Sequence, residues 1–293
     1  MARTSTFALV SDVHFGPEAR FAGKLRKLTA RAPELLGAFV RRMNELVRPD
    51  FVVNLGDDLE DESPEADRAR YAEFLGVLRG LDAPRVHVAG NHDTIHLKLA
   101  ELATLWGPNH AWLGAAWRGP DDAGLHYAFD RDGVHFVVLH SHEKKDVEIT
   151  LGSRQLAWLE RQLARTALPT VVLVHHGVAD QDLTGNRWFE GLEHICLVKE
   201  RGELRRILAA SGKVLVVVNG HLHWNHFDVV DELPIVTLQS LIENLDDDAP
   251  GRPAAAHAVV RVAPRGEGRF RVAVSVEGAE RAHYQLDRTL RLG

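Results

Sequence analysis

The sequence predicts an α/β protein in which two mixed β-sheets pack face to face between outer helices, a four-layer αββα sandwich. Three observations carry this expectation. Short apolar runs rich in β-branched residues alternate with longer segments of helical periodicity, the pattern of parallel βαβ units. Hairpin-like pieces appear in the middle and at the end, so antiparallel strands are also present. Abrupt clusters of polar side chains close several of the apolar runs, where open α/β sheets gather their ligands.

The run TFALVSD reads as a buried strand. APELLGAFVRRMNELVRPD follows as a helix, with Pro33 in its first turn, apolar residues at three-to-four spacing and Pro49 as its stop. Next come strand FVVNLGD, helix PEADRARYAEFLGVLRGL with Pro64 at its start, strand RVHVAGNHD and one more helix, IHLKLAELATLW. LHYAFDRDGVHFVVLHS reads as a hairpin around Asp132-Gly133. Helix SRQLAWLERQLART leads to strand TVVLVHH, and helix KERGELRRILAAS leads to strand VLVVVNGHLH. The tail holds the strands HFDVVD, PIVTLQS, AAHAVVRVA and RFRVAVSVE, with DDDAPGRPAAA as a loop. No linker or repeat interrupts the pattern. We expect one domain over residues 1–293, with the strands of 227–293 completing the second sheet.

With 293 residues and 45% hydrophobic side chains, the chain can bury a large core. Its formal charge of -6, uncompensated by any basic stretch, argues against a long nucleic acid as partner. Small anions stay open, because a local metal cluster can make a cleft in an acidic protein positive. Cys196 is the only cysteine, which excludes an internal disulfide and a thiolate cluster and suits a reducing compartment. The N-terminal FALV is too short for a signal-peptide core, and no apolar run reaches the roughly 18 residues of a membrane span. A cytoplasmic protein without a membrane partner is the expectation.

Five segments share one design, an apolar strand followed by metal-capable side chains. They are Asp12-Val13-His14, Gly56-Asp57, Gly90-Asn91-His92-Asp93, His175-His176 and Gly220-His221-Leu222-His223. Residues two apart on an extended chain point the same way, so Asp12 with His14 and His221 with His223 can each present a pair of ligands. Carboxylate, imidazole and amide without sulfur suit Mn, Fe, Zn, Co or Ni. Asp12, His14, Asp57, Asn91, His175, His221 and His223 exceed the four ligands of a single structural zinc, and two ions sharing a carboxylate would use them all.

D-x-H, G-D, G-N-H-D, H-H and G-H-x-H, in this order from Asp12 to His223, resemble the signature of the calcineurin-like metallophosphoesterases. QLAWLERQL before the VVLVHH strand is further similar to the class III cyclic-nucleotide phosphodiesterase and glycerophosphodiesterase branch. The resemblance implies the metallophosphoesterase fold and two divalent or trivalent ions, Mn, Fe or Zn. It implies that Asp12, His14 and His223 hold one ion, Asp57 bridges, and Asn91, His175 and His221 hold the other. His92 would stabilise charge on the phosphate or protonate the leaving oxygen, with Asp93 orienting it. The implied chemistry is attack by a metal-activated hydroxide on a small phosphodiester such as a cyclic nucleotide or glycerophosphodiester. A phosphomonoesterase with the same core is the alternative, and a non-catalytic scaffold, like the retromer subunit of this fold, a further one. Relatives in this branch are often dimers, which leaves a homodimer open.

The sequence departs from the family where H-H-P-P reads His175-His176-Gly177-Val178, where L-D-S reads Leu139-His140-Ser141, and where the tyrosine of purple acid phosphatases is replaced by Glu60. His176 faces either substrate or packing. His140 and His142 read as structural, His226 as pointing away, and His87 and His96 as packing or surface. Asp58, Glu60, Asp61 and Glu62 read as a solvated acidic loop, and Asp246 to Asp248 likewise. Residues 179–197 form a long loop leaving the His175 strand, in which Asn186, Arg187 and Trp188 offer a hydrogen bonder, a cation and a stacking face for a nucleotide. Alternatively, Trp188 and Phe189 pin that loop to the core.

Overall fold

The computed structural model describes residues 3–120, 124–145 and 147–292. The chain opens with strand β1 (Ser5–Val10), helix α1 (Ala32–Arg42), strand β2 (Phe51–Asn54), helix α2 (Pro64–Leu78) and strand β3 (Arg85–His87). Helices α3 (Asn91–His96) and α4 (Leu99–His110) follow, then hairpins β4 (Tyr127–Arg131) with β5 (Val134–Val138) and β6 (His142–Lys144) with β7 (Glu148–Thr150). Helix α5 (Ser153–Arg165) feeds β8 (Thr170–Leu173), and helix α6 (Arg201–Ser211) feeds β9 (Val214–Asn219). Five strands end the chain: β10 (His226–Val230), β11 (Leu233–Thr237), β12 (His257–Pro264), β13 (Arg269–Glu277) and β14 (Ala282–Thr289).

These strands form two mixed six-stranded sheets, ordered β14-β13-β12-β1-β2-β3 and β10-β11-β9-β8-β5-β4. The neighbours β1, β2 and β3 run parallel in the first, as do β5, β8, β9 and β11 in the second. Because side chains alternate along a strand, each sheet feeds two cores. Phe7, Leu9, Phe51 and Val53 meet Phe136, Val138, Val171, Leu173, Val216 and Val218 between the sheets. Phe7 stacks on Phe51 at 5.2 Å, and Phe136 meets the two rings edge-on at 5.4 and 5.1 Å. The intervening Ala8, Val10 and Val52 turn outward onto α1, α2 and α4, and Val137, Val172 and Val217 turn onto α5 and α6. The αββα layering therefore follows from the period-two pattern of strands apolar on both faces.

Local signals set the helix ends. Ser63 caps α2, its hydroxyl accepting from the Ala66 N–H at 3.2 Å, and Pro64 fills the first turn where no N–H is needed. Helix α1 has a proline in its first turn and runs on through a π-helical turn to Arg48, whose left-handed φ of 49° ends it before Pro49.

Three expectations are corrected. The single helix IHLKLAELATLW is two, because Leu97 and Lys98 are extended and Leu97 is buried between α3 and α4. The strands after residue 227 do not all complete the second sheet. Only β10 and β11 do, while β12 pairs antiparallel with β1 and brings β13 and β14 into the first. Strand β14 went unread because it is an edge strand, whose Ala282, Tyr284 and Leu286 are only partly covered. Among the described residues, no helix is long and apolar enough to cross a membrane.

Candidate metal centre

The five polar clusters converge at the carboxyl ends of β1, β2 and β3 in one sheet and β8 and β9 in the other. Backbone bonds stitch the loops together: Asp12 N–H to Gly56 O at 3.0 Å, His14 N–H to Asp57 O at 2.9 Å, and Gly220 N–H to His175 O at 3.0 Å. Asp12, His14, Asp57, His221 and His223 all have left-handed backbones, with φ of 52°, 46°, 55°, 65° and 53°. Each such conformation in a residue bearing a Cβ costs on the order of 1–3 kcal/mol, and such residues cluster at functional sites. The loops after β2 and β3 also touch. A Cβ on Gly56 would lie 2.4 Å from the Gly90 nitrogen, and one on Gly90 would lie 2.2 Å from Asp57 N and Oδ1, so only glycine fits at either place.

Three groups of buried donors result among the described residues. Asp12, His14 and His223 form one, and Asp57 and His175 join Asp12 in another, the atoms of each group lying within 4.8 Å of one another. His175, His176 and His221 form a third, also within 4.8 Å. His14 Nε2 lies 3.3 Å from His223 Nε2, and His175 Nε2 lies 3.2 Å from His221 Nδ1. Asp57 Oδ2 sits between the groups, 3.8 Å from His14 Nε2 and 3.3 Å from His175 Nε2.

The donor set fits cations. His14, His223 and His175 each turn Nδ1 outward, to Glu60 at 3.0 Å, Glu243 at 2.7 Å and the Leu55 carbonyl at 2.8 Å. Protons on those nitrogens leave lone pairs on Nε2 facing other donors inside the site, which needs positive charge between them. Among the described residues, Asp12 Oδ1 and Asn91 Oδ1 are buried without hydrogen-bond partners, and an orphaned buried acceptor is costly unless a cation meets it. Spacings of 3.2–3.3 Å also match ligands about 2.1 Å from a shared ion. The titration behaviour agrees. Burial opposes a charge on His175 and His223, yet Asp57 beside the one, and Asp12 and Glu243 beside the other, hold their pKa up to about 10 and about 9. Burial, joined at His14 by the Lys27 charge, instead holds His14 down at about 4 and His221 well below the usual imidazole range, so both stay neutral, as metal-binding imidazoles must.

The acidic run after Asp57 is not solvated. Asp58 is fully buried, with burial and neighbouring Asp93 holding its carboxyl pKa well up. Glu60 accepts from the buried Lys27 ammonium at 2.9 Å, and Asp61 pairs with His92 Nδ1. Only Glu62 is on the surface, paired with Arg70. His14, Glu60 and His92 could also be grouped around a cation, but the Lys27 ammonium already stands against that carboxylate.

The expected orienting role of Asp93 is likewise corrected. Its two oxygens accept the backbone N–H groups of Asp57, Asp58 and Gly90 at 3.0, 2.8 and 2.9 Å, so it shapes the loops, and Asp61 holds His92. The His92 ring packs edge-on to His14 with centroids 4.8 Å apart. Burial lowers its pKa, but the Asp57 charge and the Asp61 hydrogen bond outweigh that and raise it. His176 is fully buried, its Nδ1 2.7 Å from the Ser141 hydroxyl and its ring 4.2 Å from that of His221.

In the 179–197 loop, Asn186 and Arg187 are spent on the protein. Asn186 accepts the Trp188 and Phe189 N–H groups and donates to the Leu222 carbonyl at 2.9 Å. Arg187 binds the Asn244 carbonyl, Asp247 and Glu243. Trp188 lies 5.3 Å from the His223 ring and donates its indole N–H to Glu243, while Phe189 stacks on His221 at 4.7 Å. The aromatic pair thus braces the G-H-L-H turn. Glu243 and Lys27 went unread in the sequence, since neither sits in a strand-end cluster. Asp247, taken as solvated, pairs with Arg187 and Lys24.

A cavity of about 280 Å³ opens beside His223, walled by Trp188, Trp224, Gln239, Arg252 and Glu280. A larger one of about 620 Å³ lies against α4, lined by Trp106, Trp117 and Tyr127, and includes none of the candidate ligands. Residues 5–225 match the model of the calcineurin-like phosphoesterase family. A Synechococcus protein named "probable cyclic nucleotide phosphodiesterase" is 27% identical over 229 residues, covering 76% of this chain and 74% of its own. One so named from Fibrobacter succinogenes is 23% identical over 214 residues, covering 73% and 71%. The crystal structure of a dimetal phosphatase from Danio rerio superposes with a TM-score of 0.72 at 17% identity, over 98% of this chain and 99% of that one, a likeness of fold.

Proposed function

Because the chain belongs to the calcineurin-like phosphoesterases, we propose that it is a metal-dependent hydrolase of small phosphodiesters, with cyclic nucleotides as the leading substrates. The observation that carries the hydrolase reading is the placement of the Asp57 carboxylate between two sets of inward-facing donors. Asp12, His14 and His223 would hold one cation, Asn91, His175 and His221 the other, with Asp57 shared. Bound there, two cations would supply Lewis-acid polarisation of the phosphoryl oxygens and lower the pKa of coordinated water toward neutrality.

The chain's own residues do the rest. Asp61 fixes Nδ1 of His92, which leaves Nε2 to give a proton to the departing ester oxygen. Leu55, Glu60 and Glu243 orient the imidazoles, and Asp93 and Gly90 keep the β2 and β3 loops in contact. The cavity beside His223 offers the Trp224 indole as a face for a nucleobase. The diester preference rests on that cavity and on the names of the relatives.

The test loads the protein with Mn²⁺ and measures turnover of cyclic nucleotides, glycerophosphodiesters, and aryl mono- and diesters. We expect diesters to exceed monoesters. Trp224→Ala should raise KM for a cyclic nucleotide more than for an aryl diester. His92→Ala should lower kcat by about 10²–10⁴-fold with metal content intact. Preferential monoester turnover would overturn the diester reading, and equal KM effects would remove the base-stacking role.

A further inference from the structure

The two candidate cation positions are backed differently. At the Asp12/His14/His223 position both imidazoles turn Nδ1 to a carboxylate, His223 to the buried Glu243 at 2.7 Å and His14 to the partly buried Glu60 at 3.0 Å, with the Lys27 ammonium 3.4 Å from the same His14 nitrogen. Each carboxylate meets a cation in turn, Glu60 the Lys27 ammonium at 2.9 Å and Glu243 the Arg187 guanidinium at 3.1 Å. The Trp188 indole N–H reaches both oxygens of Glu243 at 3.1 Å. The Lys27 ammonium lies 5.3 Å from the same indole ring, so this side chain ties the two arms together. At the other position Nδ1 of His175 faces the neutral Leu55 carbonyl at 2.8 Å, Asn91 is a neutral amide, and His221 Nε2 has no partner among the described residues.

Shielding a carboxylate from water is costly, and here one buried and one partly buried carboxylate each stand against one of the two rings. A carboxylate on the far nitrogen fixes a ring's tautomer and orientation and makes it a more basic ligand than a carbonyl does. We propose that Glu60 and Glu243 are positioning residues that strengthen the Asp12/His14/His223 position selectively, with Lys27, Arg187 and Trp188 holding the two carboxylates in place. The inference rests on the metal reading above and goes beyond it. It assigns function to residues that no strand-end motif contains, and it makes one ion the tighter of the two.

The experiment titrates metal-stripped protein with Mn²⁺ by calorimetry and counts the ions retained after dialysis. Wild type should bind in two steps. Glu60→Gln and Glu243→Gln, which keep size and lose charge, should each weaken the tighter step by about 10–100-fold and leave the weaker one in place. Unfolding midpoints in EDTA report whether the variants remain folded. Should either fail to fold, Trp188→Phe, which keeps an aromatic ring and loses the N–H donor, should still weaken the tighter step alone. Two unchanged steps in the variants overturn the inference, as do two steps that weaken together, since a general loosening of the site moves both. A wild type that binds no ion overturns the metal reading itself and this inference with it.

Discussion

Substituting Gly90 by alanine sets a methyl group against the backbone of the neighbouring loop. Its φ of −91° suits any residue, so the cost comes from contact alone. The new Cβ would stand 2.2 Å from both the nitrogen and Oδ1 of Asp57, where real Cβ contacts essentially never fall under 3.0 Å. Relief requires one loop to move by roughly 1 Å in a packed interior of low compressibility. Asp57 cannot follow freely. Its N–H is bound to Asp93 at 3.0 Å and its Oδ1 accepts from His92 N–H at 3.0 Å. Losing both bonds at about 1 kcal/mol each, on top of about 1–3 kcal/mol of overpacking, gives a destabilisation of about 3–5 kcal/mol. Urea unfolding of the metal-free protein measures this, and metal content should fall for both ions if Asp57 is shared between them as proposed. Gly107 in α4 is the matched control. Among the described residues nothing lies within 4 Å of its Cβ, so Gly107→Ala should be neutral or stabilise by up to about 1 kcal/mol. A Gly90→Ala protein equal to wild type in stability and metal content would refute the close-approach argument.

Asp61 and Asp93 should separate cleanly. Asp61→Asn should lower kcat by about tenfold, a part of what proton transfer supplies, with stability unchanged. Asp93→Asn removes acceptor capacity from three backbone donors and should cost about 1–3 kcal/mol in urea. The reverse pattern would contradict both assignments. Burial holds the His110 pKa down to about 4, against 6.5 for a free imidazole. The unfolded chain then takes up a proton that the folded one refuses, so stability is lost as pH falls from 6.5 toward 4, by up to about 3 kcal/mol from this group. His110→Gln should flatten that part of a stability–pH curve, and an equally steep curve would argue against it. Chelation should lower the unfolding midpoint. Free Mn²⁺ at a hundredfold over Kd stabilises by about 2.7 kcal/mol per site, and an EDTA-insensitive midpoint would count against bound ions.

The candidate ligands were legible because buried parallel strands leave unbroken apolar runs, and histidines and aspartates stand out where those runs stop. Their partners were not. Glu60 and Asp61 look like solvated acids in a stretch of four, and only the fold brings Lys27 beneath one and His92 against the other. Glu243 follows the apolar pair Leu241 and Ile242 in an irregular segment, with no local pattern to mark it. Asp93 shows the opposite error. Adjacency to His92 suggested a pair, but the turn of α3 directs its carboxylate back to three amide groups. The edge strand β14 carried its alternation in Ala282, Tyr284 and Leu286, too weak an apolar signal to separate from a loop. Local periodicity reports what a segment buries and says little about which distant charge it meets.

Two of the donor groups mix residues from both sheets: His223 faces Asp12 and His14 across the sandwich, and His175 faces Asp12 and Asp57. The gap between the two halves is therefore gauged by whatever keeps the sheets apart, foremost the rings of Phe7, Phe51, Phe129 and Phe136. Those phenyl groups act as shims for an electrostatic device they never touch. A thinner spacer there can leave the protein well folded and its chemistry detuned, so loss-of-function changes are to be sought in the apolar layer as much as among the histidines.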